Sequence, residues 1–281
     1  LGAPAMGVAG AALATLISRM VEFAIMLFHI WKNRIFRLQP RLALAPGRET
    51  VKKFIRYGGP VVCNETLFGL GTSLYPTIMG HMEGSREILA AYTIAGNVEK
   101  LFTVVAFGLG GTAAILVGRE IGAGRSDRVR PVGMALSTLA LGCGCVLSVI
   151  LFLFVTFVAP TVVFPLFQLS EGAIEVATMM LTVMIVMIAL RTFNSTNIVG
   201  VLRGGGDVKA ATLIDVCPLW LLALPLAFFT GLVLRLDIFW VYLALSVEQA
   251  AKCLAGLWRL HRGQWVHNLT LPGDERERAE V

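Results

Sequence analysis

Residues 132–158 read VGMALSTLALGCGCVLSVILFLFVTFV, without one Asp, Glu, Lys or Arg. A helix crosses the hydrocarbon of a bilayer with roughly 20 apolar residues, each adding about 1.5 Å. This stretch exceeds that length and carries no charge that water must solvate. Six further segments are also long and predominantly apolar, with ionisable residues in each, at 7–31, 57–80, 88–118, 173–201, 209–232 and 238–260, and none shows the period-two alternation of a strand. The fold class expected is therefore all-α, a polytopic membrane helix bundle of about seven transmembrane helices.

Composition agrees. The chain is 56% hydrophobic and 15% charged, with a mean hydropathy of +0.76, whereas soluble domains are about a quarter charged. The net charge of +6 does not indicate a nucleic-acid partner, because the basic residues fall in short loops between apolar runs rather than along one stripe.

Those loops set an orientation, since Lys and Arg collect on the cytoplasmic side of short loops. Lys32, Arg34, Arg37, Arg41, Arg48, Lys52, Lys53 and Arg56 lie in one loop; Arg119, Arg125, Arg128 and Arg130 lie two loops later. Arg203 and Lys209 follow, then Arg259, Arg262, Arg276 and Arg278 at the end. The alternate loops hold only Arg86 and Arg235. This pattern predicts an outside start and a cytoplasmic C-terminus. With Leu1 at its start and no basic leader or cleavage-site pattern, the chain is expected to be a piece of a longer protein.

An ionisable group inside a span costs about 2.5–3.5 kcal/mol on insertion scales, so it must pair or face a polar cavity. Glu65 lies about 12 Å into the second span, counted at 1.5 Å per residue, beside Asn64. Glu65, Asn64 and the shallow Asp215 of the sixth span are the candidates for coupling to a cation or a proton. Arg191, Asn194 and Asn197 are spaced by three and share a helix face; they are the candidate cavity lining, together with Asn97, Phe68 and Tyr75. Arg191 is expected to approach Glu65 or Asp215. Glu99 with Lys100, Glu248 with Lys252, and Arg19 with Glu22 read as structural charge pairs. The second of these has the i, i+4 order that supports a helix.

Enzyme motifs are missing. The run Gly108-Leu109-Gly110-Gly111 lies in an apolar span without a phosphate-loop pattern, and no HExxH, GxSxG or metal-ligand spacing is present. The five cysteines fall inside apolar segments and read as small core residues, and His29, His81, His261 and His267 fall near span ends or in loops. No enzyme activity, metal or organic cofactor is expected.

Longer strings carry a resemblance. GPVVCNETLFGLGTSLYPTIMG at 59–80, AAYTIAGNVEKLFTVVAFGLGGTAAILVGREIGAG at 90–124, GVLRGGGDVKAATLIDVCPLW at 200–220 and KCLAGLWRLHRGQWVHNLT at 252–270 resemble the MATE family of multidrug and toxic compound extrusion transporters. The resemblance implies a two-lobe antiporter with six helices per lobe, exporting organic cations or drug-like small molecules by alternating access against H+ or Na+. It implies that residues 1–31 are the last helix of the first lobe and 32–56 the basic cytoplasmic linker between lobes. Residues 57–262 would be the six-helix second lobe and 263–281 a cytoplasmic C-terminal tail. The partners implied are the substrate, the lipid bilayer and the missing first lobe of the same polypeptide, and the placement implied is multi-pass in a bacterial plasma (inner) membrane. The resemblance also gives Glu65 the role of a cation-binding carboxylate in the family's seventh helix, while the tenth offers Arg191, Asn194 and Asn197 where sodium-coupled members place an Asp. Two other readings fit parts of the pattern: a lipid-linked oligosaccharide flippase of the same superfamily, which calls for a more cationic cavity, and a seven-helix receptor.

Overall fold

The structure is a computed structural model that describes residues 7–33 and 47–267. Its elements are helices: α1 (Gly7–Asn33), α2 (Arg48–Gly80), α3 (Ser85–Gly122), α4 (Ser126–Leu153), α5 (Glu171–Asn194), α6 (Val208–Pro218) and α7 (Ile238–Arg262). Three run on past those bounds through wider π-helical turns. α4 continues through Phe154–Val163 to Leu166, α5 through Ser195–Leu202, and α6 through Leu219–Ala223 and Phe229–Val233. Pro160 lies within the first of these stretches and Pro218 and Pro225 flank the third. A proline lacks the N–H that a regular i→i−4 ladder requires, so the ladder must readjust around it.

Caps fix where helices start. Ser170 Oγ accepts from the Ala173 N–H at 3.3 Å to open α5, and Asp237 Oδ1 accepts from the Phe239 N–H at 2.9 Å to open α7. Gly263, at φ 72°, closes α7 in the left-handed region that a side chain resists.

Among the described residues six helices are long and apolar enough to span a membrane, from Ala12–Lys32 through Ser85–Gly122, Asp127–Leu166, Glu171–Leu202 and Val208–Val233 to Ile238–Arg262. The chain is a multi-pass membrane protein. The remaining expected span, 57–80, lies within α2, which is long enough but holds Asn64, Glu65, two prolines and several Thr, Ser and Gly residues. These lower its hydropathy below that of the other six.

Residues 1–55 and 56–281 form separate compact units. In the first, Arg19 Nη1 donates to Glu22 Oε2 at 2.7 Å within α1, as the i, i+3 spacing predicts. The second holds the bundle. Its helices are apolar on both faces, and α3 buries a run of small residues. In α3 the buried stripe is Ile88, Ala91, Ile94, Ala95, Val98, Phe102, Ala106, Gly110, Ala113, Val117 and Ile121, while Leu101, Val104, Phe107 and Ile115 are exposed. Small residues let helix backbones approach where lipid offers no hydrophobic driving force. A Cβ on Gly200 would lie 2.7 Å from the Gly110 carbonyl oxygen, so α3 and the continuation of α5 meet backbone to backbone.

The cysteines depart from expectation. Cys63 and Cys145 are exposed, and all five are free thiols. In a membrane protein an apolar segment has an apolar outside as well, so hydropathy does not distinguish a core cysteine from one on the outer surface.

Two apolar clusters fill the bundle. One gathers Met79, Phe102, Leu151, Met180, Ile188, Leu219 and Leu245; the other gathers Val117, Val129, Ile198, Leu202, Ala211, Leu260 and Trp265. Along α4, α5, α6 and α7 the buried polar residues fall between the members of the two clusters. Ser137 lies between Leu147 and Val129, Asn194 between Ile188 and Ile198, and Glu248, Gln249 and Lys252 between Leu245 and Leu260, with the partly buried Asp215 between Leu219 and Ala211. The bundle is thus apolar, polar, apolar along its length.

Candidate functional site

The polar layer begins on α2. Asn64 is fully buried, and its amide donates to Asp215 Oδ2 at 3.0 Å and to Glu65 Oε1 at 3.4 Å. Glu65 itself is exposed, and Arg203 Nη1 donates to its Oε1 at 2.9 Å. Arg203 also places Nη2 3.5 Å from Asp215 Oδ2, so one guanidinium spans two carboxylates. Asp215 takes a second cation on its other oxygen, the Lys252 ammonium at 3.0 Å.

From Lys252 the layer continues inward along α7. Its Nζ is 3.4 Å from Glu248 Oε2 and 4.8 Å from the centre of the Phe68 ring, a cation held by two anions and a π face. Glu248 Oε1 accepts from the Gln249 amide at 3.1 Å, and Gln249 accepts from the Asn194 amide at both its side-chain and backbone oxygens. Four helices, α2, α5, α6 and α7, are therefore joined by one chain of charged and amide groups. It runs from exposed Glu65 to buried Asn194.

Its charge does not cancel. Three carboxylates, Glu65, Asp215 and Glu248, face two cations, Arg203 and Lys252. The excess negative charge sits at the exposed Glu65 end, since the inner groups, Asp215 and Glu248 against Arg203 and Lys252, balance. Among the described residues no cluster of His, Cys, Asp and Glu has the arrangement of a bound metal centre.

The structure moves several sequence-predicted residues. Arg191 does not approach Glu65 or Asp215; it pairs with Glu99 of α3. Glu99 accordingly does not pair with Lys100, which is exposed, because adjacent residues on a helix point in different directions. Asn194 and Asn197 do share a face, but that face is buried. Asn194 binds Gln249, and Asn197 packs on Gly256, where a Cβ would lie 2.6 Å from its amide nitrogen. Tyr75 belongs to the apolar core, Asn97 is exposed, and Phe68 lies under Lys252. Glu248 and Lys252 pair as expected but are also bound to the rest of the layer.

Arg203 is the site residue that sequence reading missed. Counted with Lys209 as a loop charge, it has a side chain only 12% exposed. The apolar run of α5 continues to Leu202 with no helix breaker, and that continuity was the available signal. Residues 263–267, expected in the tail, are also part of the bundle. Trp265 is fully buried, and the His267 N–H donates to the Gly205 carbonyl at 2.7 Å.

The MatE family profile matches residues 60–229, which is most of the bundle and well over half of the chain. The chain belongs to the MatE family. Relatives in this family are named as transporters or multidrug resistance proteins. This MatE chain is 27% identical over 279 residues to the probable multidrug resistance protein NorM of Thermotoga maritima, covering 99% of its own length and 58% of that protein's. It is 25% identical to the multidrug resistance protein MdtK of Edwardsiella ictaluri, over 90% of this chain and 56% of that one. Among solved structures, a crystal structure of a MATE protein in complex with MaL6 superposes with a TM-score of 0.75 at 19% identity, over 92% of this chain and 58% of that one. The outward-facing conformation of a MATE-family transporter of the MOP superfamily gives 0.66 at 22% identity, over 82% and 50%. The MatE chain thus spans about half the length of the relatives it matches.

Proposed function

We propose that this MatE chain supplies the second lobe of a secondary active efflux transporter, exporting organic cations or drug-like molecules by antiport with H+ or Na+. A first lobe of the same polypeptide would complete it, in a bacterial inner membrane with the C-terminus cytoplasmic. The observation that carries the reading is the polar layer with one excess negative charge, open at Glu65 and closed at Asn194. Such a layer has an unlike charge state before and after it takes up a cation, and a lobe that rocks between two states responds to that difference. The names of its relatives, multidrug resistance proteins, support drug-like substrates. The flippase reading gains little: each buried cation in the layer, Arg203 and Lys252, is already neutralised by carboxylates and leaves no positive surface for a pyrophosphate.

The test is efflux of a fluorescent organic cation from cells expressing the two-lobe transporter, with sodium and proton gradients imposed separately. Export above vector controls, driven by one of the gradients, is expected. Absence of export under both, with the protein inserted, would contradict the reading.

A further inference from the structure

Lys252 stands out within the layer. Its ammonium is 3% exposed and lies 3.0 Å from Asp215, 3.4 Å from Glu248 and 4.8 Å from the Phe68 ring centre. A long, flexible lysine is a costly way to tie two helices, because a buried ammonium loses strong hydration. Its surroundings are those of a small monovalent cation: oxygen atoms from α6 and α7 and an aromatic face from α2. One further oxygen, the Asn64 carboxamide Oδ1, is left without a hydrogen-bond donor among the described residues. Asn64 is fully buried, and its amide nitrogen donates to Asp215 at 3.0 Å, so its carboxamide belongs to the same layer. Hard oxygen ligands of this kind suit an alkali cation.

We propose, resting on the coupling reading above, that Lys252 is the ion-selectivity residue of this lobe. Its ammonium fills the position between Asp215 and Glu248 that a dehydrated sodium ion would take, so the lobe accepts protons and refuses sodium. The fixed charges facing that position are Asp215 on α6 and Glu248 on the same helix as Lys252, with Arg203 and Glu65 one contact further out. Neutralising Lys252 raises the excess negative charge from one to two and vacates the place between the carboxylates.

The test is equilibrium binding of radioactive sodium to the purified transporter, with thermal unfolding in sodium against choline at equal ionic strength. Wild type should show no sodium binding that Asp215→Asn removes and no sodium-dependent rise in Tm. Lys252→Gln should gain saturable sodium binding by roughly tenfold or more in affinity, lost again in the Asp215→Asn/Lys252→Gln double variant, with sodium raising its Tm. Lys252→Arg should behave as wild type. Where Lys252→Gln fails to fold, Glu248→Gln/Lys252→Met preserves the net charge and should also gain sodium binding. Wild-type sodium binding that depends on Asp215, or a folded Lys252→Gln protein that ignores sodium, would overturn the proposal. A failed efflux assay would instead overturn the transport reading and leave these results as they are.

Discussion

Arg203 at the end of the α5 helical run and Glu65 on α2 meet at 2.9 Å, across 138 positions of sequence. Through the other nitrogen of the same guanidinium Glu65 is tied to Asp215, and thence to Lys252. An exposed carboxylate is thereby placed in electrical contact with a buried layer. Replacing Arg203 by Gln should disconnect the two. The expected outcome is a folded protein with efflux reduced by about tenfold or more, since a bidentate Arg is not matched by a neutral amide. Arg203→Lys, which keeps the charge but not the fork, should fall between. The comparison is made by transport rate at equal membrane abundance.

Asn64 tests the layer from the other side. Its amide donates to Asp215 and to Glu65, and it is fully buried. Asn64→Leu leaves the inner oxygen of Asp215 without that donor, a loss of about 1–3 kcal/mol. A lower midpoint of thermal unfolding in detergent should report it.

Arg191 and Glu99 join α5 to α3, with side chains 33% and 27% exposed. Either single neutralisation should destabilise by about 1–2 kcal/mol, less than a fully buried pair because solvent screens part of the charge. The exchanged double variant Glu99→Arg/Arg191→Glu should recover much of that loss. Unfolding midpoints of the four proteins give the coupling directly.

Trp265 fills a pocket made by glycines. A Cβ on Gly205 would clash with its ring, and one on Gly133 would lie 2.8 Å from it. Trp265→Ala empties a fully buried site and should cost about 3–5 kcal/mol. Gly205→Ala should also destabilise, but far less when Trp265 is already Ala, because the clash is then gone. Nearby, Arg259 closes the same end through Asp207 at 2.6 Å and the Gln264 carbonyl at 2.8 Å.

Much of this was readable beforehand, for physical reasons. Helix number and placement follow from lengths of apolar chain, because a bilayer admits no unpaired backbone. Glu65 and Asp215 were identifiable because a carboxylate within or near a span demands a partner. Which partner it takes was not readable. Arg191 was matched to Glu65 by similar depth, yet depth does not fix rotation about the helix axis. The π-helical turns after Leu153, Asn194 and Pro218 change that rotation without any mark in hydropathy. The tail boundary failed for a related reason: Trp265 follows a helix-ending glycine, and only the glycine-lined pocket shows that the chain returns to the bundle.

The central claim is that uptake of a cation by this layer drives export, with Glu65 as its point of entry. Glu65→Gln keeps the shape and hydrogen-bonding reach of the side chain and removes only its charge. In the two-lobe transporter the decisive measurement is gradient-driven efflux of a fluorescent organic cation beside equilibrium binding of the same cation to purified protein. The account predicts binding within a few-fold of wild type and loss of gradient-driven efflux. Wild-type efflux from a correctly inserted Glu65→Gln protein would make Glu65 a structural residue and place the coupling outside this lobe.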